Sequence, residues 1–279
     1  MPIENKCCIC NSQSHERFLR SVEDYILHEC KKCNLQFLKY IEASPSDFIA
    51  DSESNTHPDV EYWSLPYLYK KYQFIFDHFF SERISRIQSF QEISKNKVLD
   101  VGTGYGLWSN YLIDQHYQVI GIDPSLNINQ YVTQINSFPF VNIDFERYQT
   151  NQTFDQIHMF DVLEHFLEPK EMLKKAHSLL NDDGLIYIQV PNVLGIKYPF
   201  GHSLGLPHHL WQFNRKSLTT LLSSSGFTPL KDWTGTQGII GAYENGGPSL
   251  ITQFKWKLAN FCKRGNRIQI IARKSSCNQ

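Results

Sequence analysis

Long apolar runs are missing from this chain. No stretch approaches the about 18 residues that cross a bilayer, and the N-terminus, MPIENKCC, has no apolar signal core. Both absences lead us to expect a cytoplasmic protein with no membrane partner. Net charge is also nearly absent: 27 Lys and Arg stand against 28 Asp and Glu, a formal −1. That balance gives no overall electrostatic basis for a nucleic-acid partner. Internal repeats and low-complexity tracts are absent too, which excludes solenoid and disordered architectures. What is present is an ordinary globular composition, 41% hydrophobic and 20% charged over 279 residues. This length suffices for one sizeable α/β core and a small accessory unit.

Without a secretion signal, the seven cysteines do not read as a disulfide framework. Four of them form the pattern CCIC-x19-CKKC, pairing Cys7 with Cys10 and Cys30 with Cys33. Two C-x2-C knuckles at that separation supply the four thiolates of a tetrahedral zinc site. A unit of about 40 residues has too little core to hold itself together without such a staple, so a structural metal is expected. No βα context surrounds either pair, which argues against a redox role. Cys8 reads as a bystander.

The organisation that follows has three parts: a zinc-binding module at 1–40, a linker and aromatic helical segment at 41–95, and a main domain at 96–279. Residues 41–61 are rich in Ser, Pro, Asp and Asn with no apolar period, a linker or surface loop. WSLPYLYKKYQFIFDHFF, which follows Tyr62, is expected to be helical after Pro66; it carries Trp63, Tyr67, Tyr69 and Tyr72, and Phe74, Phe76, Phe79 and Phe80 read as core packing against the sheet. Ile84, Ile87, Phe90 and Ile93 then mark one face of an amphipathic helix. From Lys97 onward, strand-like runs (KVLDVG, QVIGID, PFVNID, FDQIHMFD, GLIYIQVPN) alternate with helical patterns. That alternation predicts a mainly parallel sheet with helices on both faces. The connection 237–265 is unusually long and holds a further predicted helix within GGPSLITQFKWKLANFCKRG.

The most informative stretch is VLDVGTGYG. A buried strand ends at Asp100, and Gly102, Gly104 and Gly106 turn the chain tightly into a helix. Asp123 ends the next strand, nineteen residues beyond Gly104, where a carboxylate can accept both hydroxyls of an adenosine ribose. A dinucleotide fingerprint would need a third glycine at the position of Leu107; the pattern here is G-x-G-x-G.

In these residues the chain resembles the class I S-adenosylmethionine-dependent methyltransferases, from about residue 97 to about 235. The resemblance implies a Rossmann-like α/β fold with a seven-stranded, mostly parallel sheet, beside a small zinc-ribbon-like module. It also implies S-adenosylmethionine as cofactor, with Asp100, Gly102, Gly104 and Tyr105 around its methionine end. Asp123 and Pro124 would lie at the ribose, Asp144 and Phe145 at the adenine, and Phe160 and Asp161 flanking. Several bacterial methyltransferases, including some acting on deoxysugars, begin with a similar zinc module. In related enzymes an N-terminal helix closes over the cofactor, which implies a lid within 41–95 walled by Tyr62, Trp63, Tyr67, Tyr69 and Tyr72.

Methyl transfer requires an aligned nucleophile, exclusion of water and, for a hydroxyl acceptor, removal of a proton. The loop after the fifth strand, PNVLGIKYPFGHSLGLPHHLWQF, should face the acceptor. His208 or His209 is the expected general base, with capping of the next helix or packing on Trp211 as the other reading. Asp161, Glu164 and His165, at i, i+3, i+4, form a candidate divalent-cation set that a later histidine could complete. Quinone O-methyltransferases and small-RNA 2′-O-methyltransferases show a similar arrangement. The acceptor is expected to be a small molecule or glycan, methylated on oxygen. An RNA or protein methyltransferase that docks through its zinc module, and a non-catalytic binding protein, remain alternatives. A dimer is compatible with the sequence.

Overall fold

A computed structural model describes residues 3–11, 13–22, 24–41, 70–125, 137–196, 204–235 and 250–275. The cysteine-rich unit is a small antiparallel meander. Strands β2 (Glu16–Val22), β3 (Tyr25–Cys30) and β4 (Gln36–Leu38) pair in sequence, while β1 (Ile3–Glu4) pairs with β5 (Tyr40–Ile41). Left-handed Asn11 and Asn34 turn the chain after each cysteine pair, a conformation asparagine tolerates better than most residues.

The main sheet has seven strands. They are β6 (Lys97–Val101), β7 (Gln118–Ile122), β8 (Phe140–Val141), β9 (Phe154–Phe160), β10 (Leu180–Pro191), β12 (Phe227–Gly235) and β13 (Arg267–Lys274). Their order is β12-β13-β10-β9-β6-β7-β8, parallel from β10 to β8, with β13 antiparallel to both β10 and β12. The central strands β6 and β9 are almost continuously buried, as strands covered on both faces must be. The polar exceptions in β9 satisfy each other. His158 accepts the Trp108 indole N–H at 3.0 Å through Nδ1 and meets Gln156 Oε1 at 3.1 Å through Nε2. Burial pushes its imidazole down to about 3, so the ring stays neutral.

Five helices are described: α1 (Gln73–Gln88), α2 (Leu107–Asp114), α3 (Pro169–Leu179), α4 (Arg215–Ser224) and α5 (Leu250–Phe261). Helix α1 corrects the two-segment reading of this region. One helix spans the end of the aromatic segment and the start of the Ile84–Ile93 pattern, and stops before Phe90. Ile93 is exposed beyond it. Tyr62, Trp63, Tyr67 and Tyr69 lie outside the described residues; Tyr72 is buried just ahead of α1.

The module does not stand apart. Strand β11 (Trp211–Gln212), from the loop after β10, pairs antiparallel with β4 and makes the meander four-stranded, in the order β11-β4-β3-β2. The Leu38 N–H donates to Leu210 O at 2.9 Å, and the rings of Phe37 and Trp211 lie 5.9 Å apart. Asn214 caps α4 through a reciprocal bond pair with Ser217, and its Nδ2 also donates to Asn34 O at 2.6 Å. Leu35, Phe37 and Leu38 thereby join one apolar core with Leu163, Leu210, Phe213 and the sheet residues Leu99, Val101 and Ile188.

Candidate functional site

Strand β6 delivers Asp100 to the C-terminal edge of the sheet, where ligands of doubly wound folds bind. Asp100 is only 3% exposed, and its Oδ2 accepts the hydroxyls of Thr103 at 2.8 Å and Ser109 at 2.6 Å. Burial nonetheless pushes its carboxyl up to about 6. Gly102, Gly104 and Gly106 all have positive φ. At Gly104, with φ of +52°, an added Cβ would meet nothing within 4 Å, so the turn leaves room for a ligand against its backbone. From the end of β7, Asp123 reaches this turn. Its Oδ2 accepts the Gly104 N–H at 3.0 Å and its Oδ1 the Ser125 N–H at 2.9 Å. Each oxygen keeps a lone pair for a hydroxyl donor. Burial raises this carboxyl as well. Tyr105 and Pro124 are half-buried beside the turn.

Asp144 follows β8, and its Oδ1 accepts the Arg147 N–H at 2.8 Å. Phe145 is turned into the core, with its ring 6.2 Å from that of Phe166. Phe160 ends β9 under the Arg83 guanidinium, 4.0 Å above its ring centre. Asp161 has a φ of +56°. It pairs with Arg267 Nε at 2.7 Å through Oδ1 and accepts Gln189 Nε2 at 2.5 Å through Oδ2. Sequence reasoning missed this network: Arg83, buried on α1, donates to Gln189 Oε1 at 3.0 Å, and Arg267 reaches in from β13. One signal was available, a glutamine inside the otherwise apolar run LIYIQVP.

Glu164, His165, His208 and His209 converge from two segments. A short 3-10 turn, Leu163–His165, follows Asp161, and the Gly205–Leu210 stretch packs over it. The Leu210 N–H donates to Glu164 O at 3.0 Å, His165 Nδ1 lies 3.1 Å from His208 O, and the His165 and His209 rings meet edge-on at 4.8 Å. Glu164 is fully buried, and neither carboxylate oxygen has a hydrogen-bond partner among the described residues. Burial, then the neighbouring Asp161 charge, hold its carboxyl well above the usual range. One donor atom each from Glu164, His165 and His209 lie within 4.8 Å of one another. Asp161, expected in such a set, is turned to Arg267 instead. A small open cleft adjoins this cluster, lined among others by Ile196, Leu204, His209, Asn266 and Arg267. His209 lines it; His208 does not.

Residues 69–231, more than half of the chain, match a family described as a methyltransferase domain. The chain belongs to the S-adenosylmethionine-dependent methyltransferases. The methyltransferase is 27% identical over 168 residues to a ubiquinone biosynthesis O-methyltransferase of Coxiella burnetii, covering 55% of this chain and 72% of that protein. It is 28% identical over 107 residues to the protein of the same name from Glaesserella parasuis, covering 34% of this chain and 45% of that one. Among solved structures, magnesium protoporphyrin IX methyltransferase of Synechocystis superposes with a TM-score of 0.54 at 15% identity, covering 84% and 98% of the two chains. The 1,6-didemethyltoxoflavin-N1-methyltransferase of Burkholderia thailandensis gives 0.53 at 16% identity, covering 93% and 100%. At those identities the likeness is one of fold.

The methyltransferase also gathers its four paired cysteines. Cys7 Sγ lies 3.5 Å from Cys33 Sγ, Cys30 Sγ lies 3.7 Å from Cys10 Sγ, and all four sulfurs fall within 4.8 Å of one another. Zinc–sulfur bonds of about 2.3 Å in a tetrahedron give sulfur–sulfur edges of about 3.8 Å. The donor set and its spacing therefore suit a closed zinc site. Cys8 lies outside the set.

Proposed function

We propose that the methyltransferase moves a methyl group from S-adenosylmethionine onto an oxygen of a small-molecule acceptor seated in the cleft beside His209. The observation carrying this reading is the cluster of Glu164, His165 and His209, of which His209 lines that cleft, close to the cofactor-side Asp161. The O-methyltransferase names of the relatives support oxygen as the nucleophile.

In this reading S-adenosylmethionine supplies an electrophilic methyl group on a sulfonium and departs as a neutral thioether. Asp100 would place negative charge near the cationic methionine end, Asp123 would accept the ribose hydroxyls, and the Gly102–Tyr105 turn would hold the cofactor against its backbone. Pro124, Asp144 and Phe160 complete the cofactor's surroundings; Phe145 supports the adenine side from within the core. As the oxygen–carbon bond forms and the carbon–sulfur bond breaks, His209 takes the acceptor's hydroxyl proton. His165 and the His208 carbonyl hold the His209 segment in place. Titration calorimetry with S-adenosylmethionine, S-adenosylhomocysteine and NAD tests the cofactor side. Binding of the two sulfur compounds alone, lost in Asp123→Ala, is expected. Labelled methyl transfer to phenols, catechols and sugars tests the acceptor, with His209→Ala lowering kcat/KM about 10²-fold or more. Transfer to none of these, or a fully active His209→Ala, would overturn the reading.

The bare buried carboxylate of Glu164 favours a second reading, in which Glu164, His165 and His209 hold a divalent cation that polarises the acceptor hydroxyl. Chelation separates the two: activity abolished by EDTA and restored by magnesium or manganese supports the cation, and indifference to EDTA supports the base. In the module, we assign Cys7, Cys10, Cys30 and Cys33 to one structural zinc. Elemental analysis should give one equivalent per chain, lost in Cys33→Ser.

A further inference from the structure

Helix α5 occupies the long connection between β12 and β13, and its residues are distributed in an unusual way. Ala259 is buried towards β12, with Trp256 and Asn260 half-buried beside it. On the opposite side Leu250, Ile251, Phe254, Leu258 and Phe261 are 51–86% exposed. At helical spacing these five fall in one stripe roughly 100° wide. Lys255 and Lys257, both exposed, fall on its two borders. From Leu250 to Arg264 there is no Asp or Glu, although the whole chain carries a net −1.

An apolar face this exposed on a soluble fold marks a contact surface. We propose that α5 is an interfacial helix that docks the protein on the surface of a bilayer containing anionic lipid. The charge pattern selects this occupant. Lysines bordering an apolar stripe can bury their stems along it and hold their ammonium groups at the headgroups. A second copy of the chain would instead bring the same lysines together with no acid on the face to meet them. No helix among the described residues is long and apolar enough to cross a membrane, so the contact lies in the interface. The proposal departs from the expectation of no membrane partner, which rested on the absence of a span.

The patch continues towards the cleft. Arg264, just beyond α5, accepts the Ile196 N–H through its carbonyl at 2.8 Å. Leu194 and Ile196 are themselves exposed, and Ile196 lines the cleft that holds His209. The cleft therefore opens beside the docking face, which suits an acceptor drawn from the lipid phase. That corollary rests on the acceptor cleft assigned above; the docking does not.

The test is flotation of the full chain with vesicles of phosphatidylcholine alone and of phosphatidylcholine with phosphatidylglycerol. We expect flotation with the anionic vesicles that weakens as salt rises. The triple substitution Phe254→Ser, Leu258→Ser, Phe261→Ser should lower partitioning about tenfold or more, and Lys255→Glu with Lys257→Glu should remove the anionic preference. Unchanged S-adenosylhomocysteine affinity in both variants shows that the fold persists. If the wild type binds no S-adenosylhomocysteine, the cofactor reading fails while flotation still decides the docking. Wild type that stays with neither vesicle at low salt, or a triple variant that floats like wild type, overturns the proposal. So does a wild-type dimer that binds no vesicle and becomes monomeric in the triple variant.

Discussion

An ionised Asp100 has two hydroxyls to hold it, from Thr103 and Ser109, and almost no water. Its carboxyl titrates near 6 in the fold against 3.8 in the unfolded chain. The folded state therefore binds the proton more tightly, and the neutral carboxyl favours folding. That contribution is fully present below the unfolded value and is lost as pH rises through about 6, amounting to at most about 3 kcal/mol. Asp100→Asn should accordingly melt higher than wild type at pH 8, with the difference closing towards pH 4, while S-adenosylmethionine affinity drops about tenfold or more. Equal melting temperatures across that range would mean the carboxylate is better solvated than its surroundings indicate. Gly205 poses a steric counterpart. At its φ of +69° an added Cβ would lie 2.2 Å from His209 Nδ1. Gly205→Ala combines left-handed strain of about 1–2 kcal/mol with displacement of the imidazole. Its kcat/KM should fall at least tenfold with S-adenosylhomocysteine affinity intact; a loss of both together would indicate general unfolding instead.

Two residues of strand, Trp211 and Gln212, couple the cysteine-rich module to the histidine cluster. Because β11 adds to β4, the segment carrying His208 and His209 is held on one side by a sheet whose turns the four cysteines close. Removing the zinc proposed for them, by chelation or Cys33→Ser, should loosen Leu204–Asn214 as well as the module. Amide exchange in that segment should accelerate and acceptor KM rise several-fold, with cofactor affinity little changed. Unaltered exchange there would make the module an independent appendage. The same contrast explains what was legible beforehand. Strands β6, β7, β8, β9 and β10 announce themselves by local apolar runs, and the G-x-G-x-G turn with Asp123 by local spacing. Strand β11 has no local signal: its partner, β4, lies across most of the chain, and pairing at such separation leaves no periodicity to read. Arg83 escaped notice for a related reason. On α1 it looks like a polar-face residue, and only the docking of that helix onto the sheet buries it against Phe160 and Gln189.

The two larger sheets of the molecule share apolar contacts. Leu35 and Phe37 belong to the same core as Leu99 and Ile188, and Asn34 is bonded to the residue that caps α4. A zinc module tethered by a linker would unfold alone, at its own temperature and over its own range of chelator. One that contributes to a continuous core cannot lose its fold without uncovering Leu210, Trp211 and Phe213, which are almost wholly buried. The expected calorimetric trace is therefore one cooperative transition that includes the module. Stripping the metal should shift that transition down by roughly 5 °C or more, since 1 kcal/mol corresponds to about 2–4 °C in a chain of this size. A separate early transition, removed by chelation and leaving the main one unmoved, would show that the shared core contributes little. In that case the four cysteines would act on catalysis through β11 alone, and shortening the module while keeping Gln36–Leu38 should preserve the position of His209.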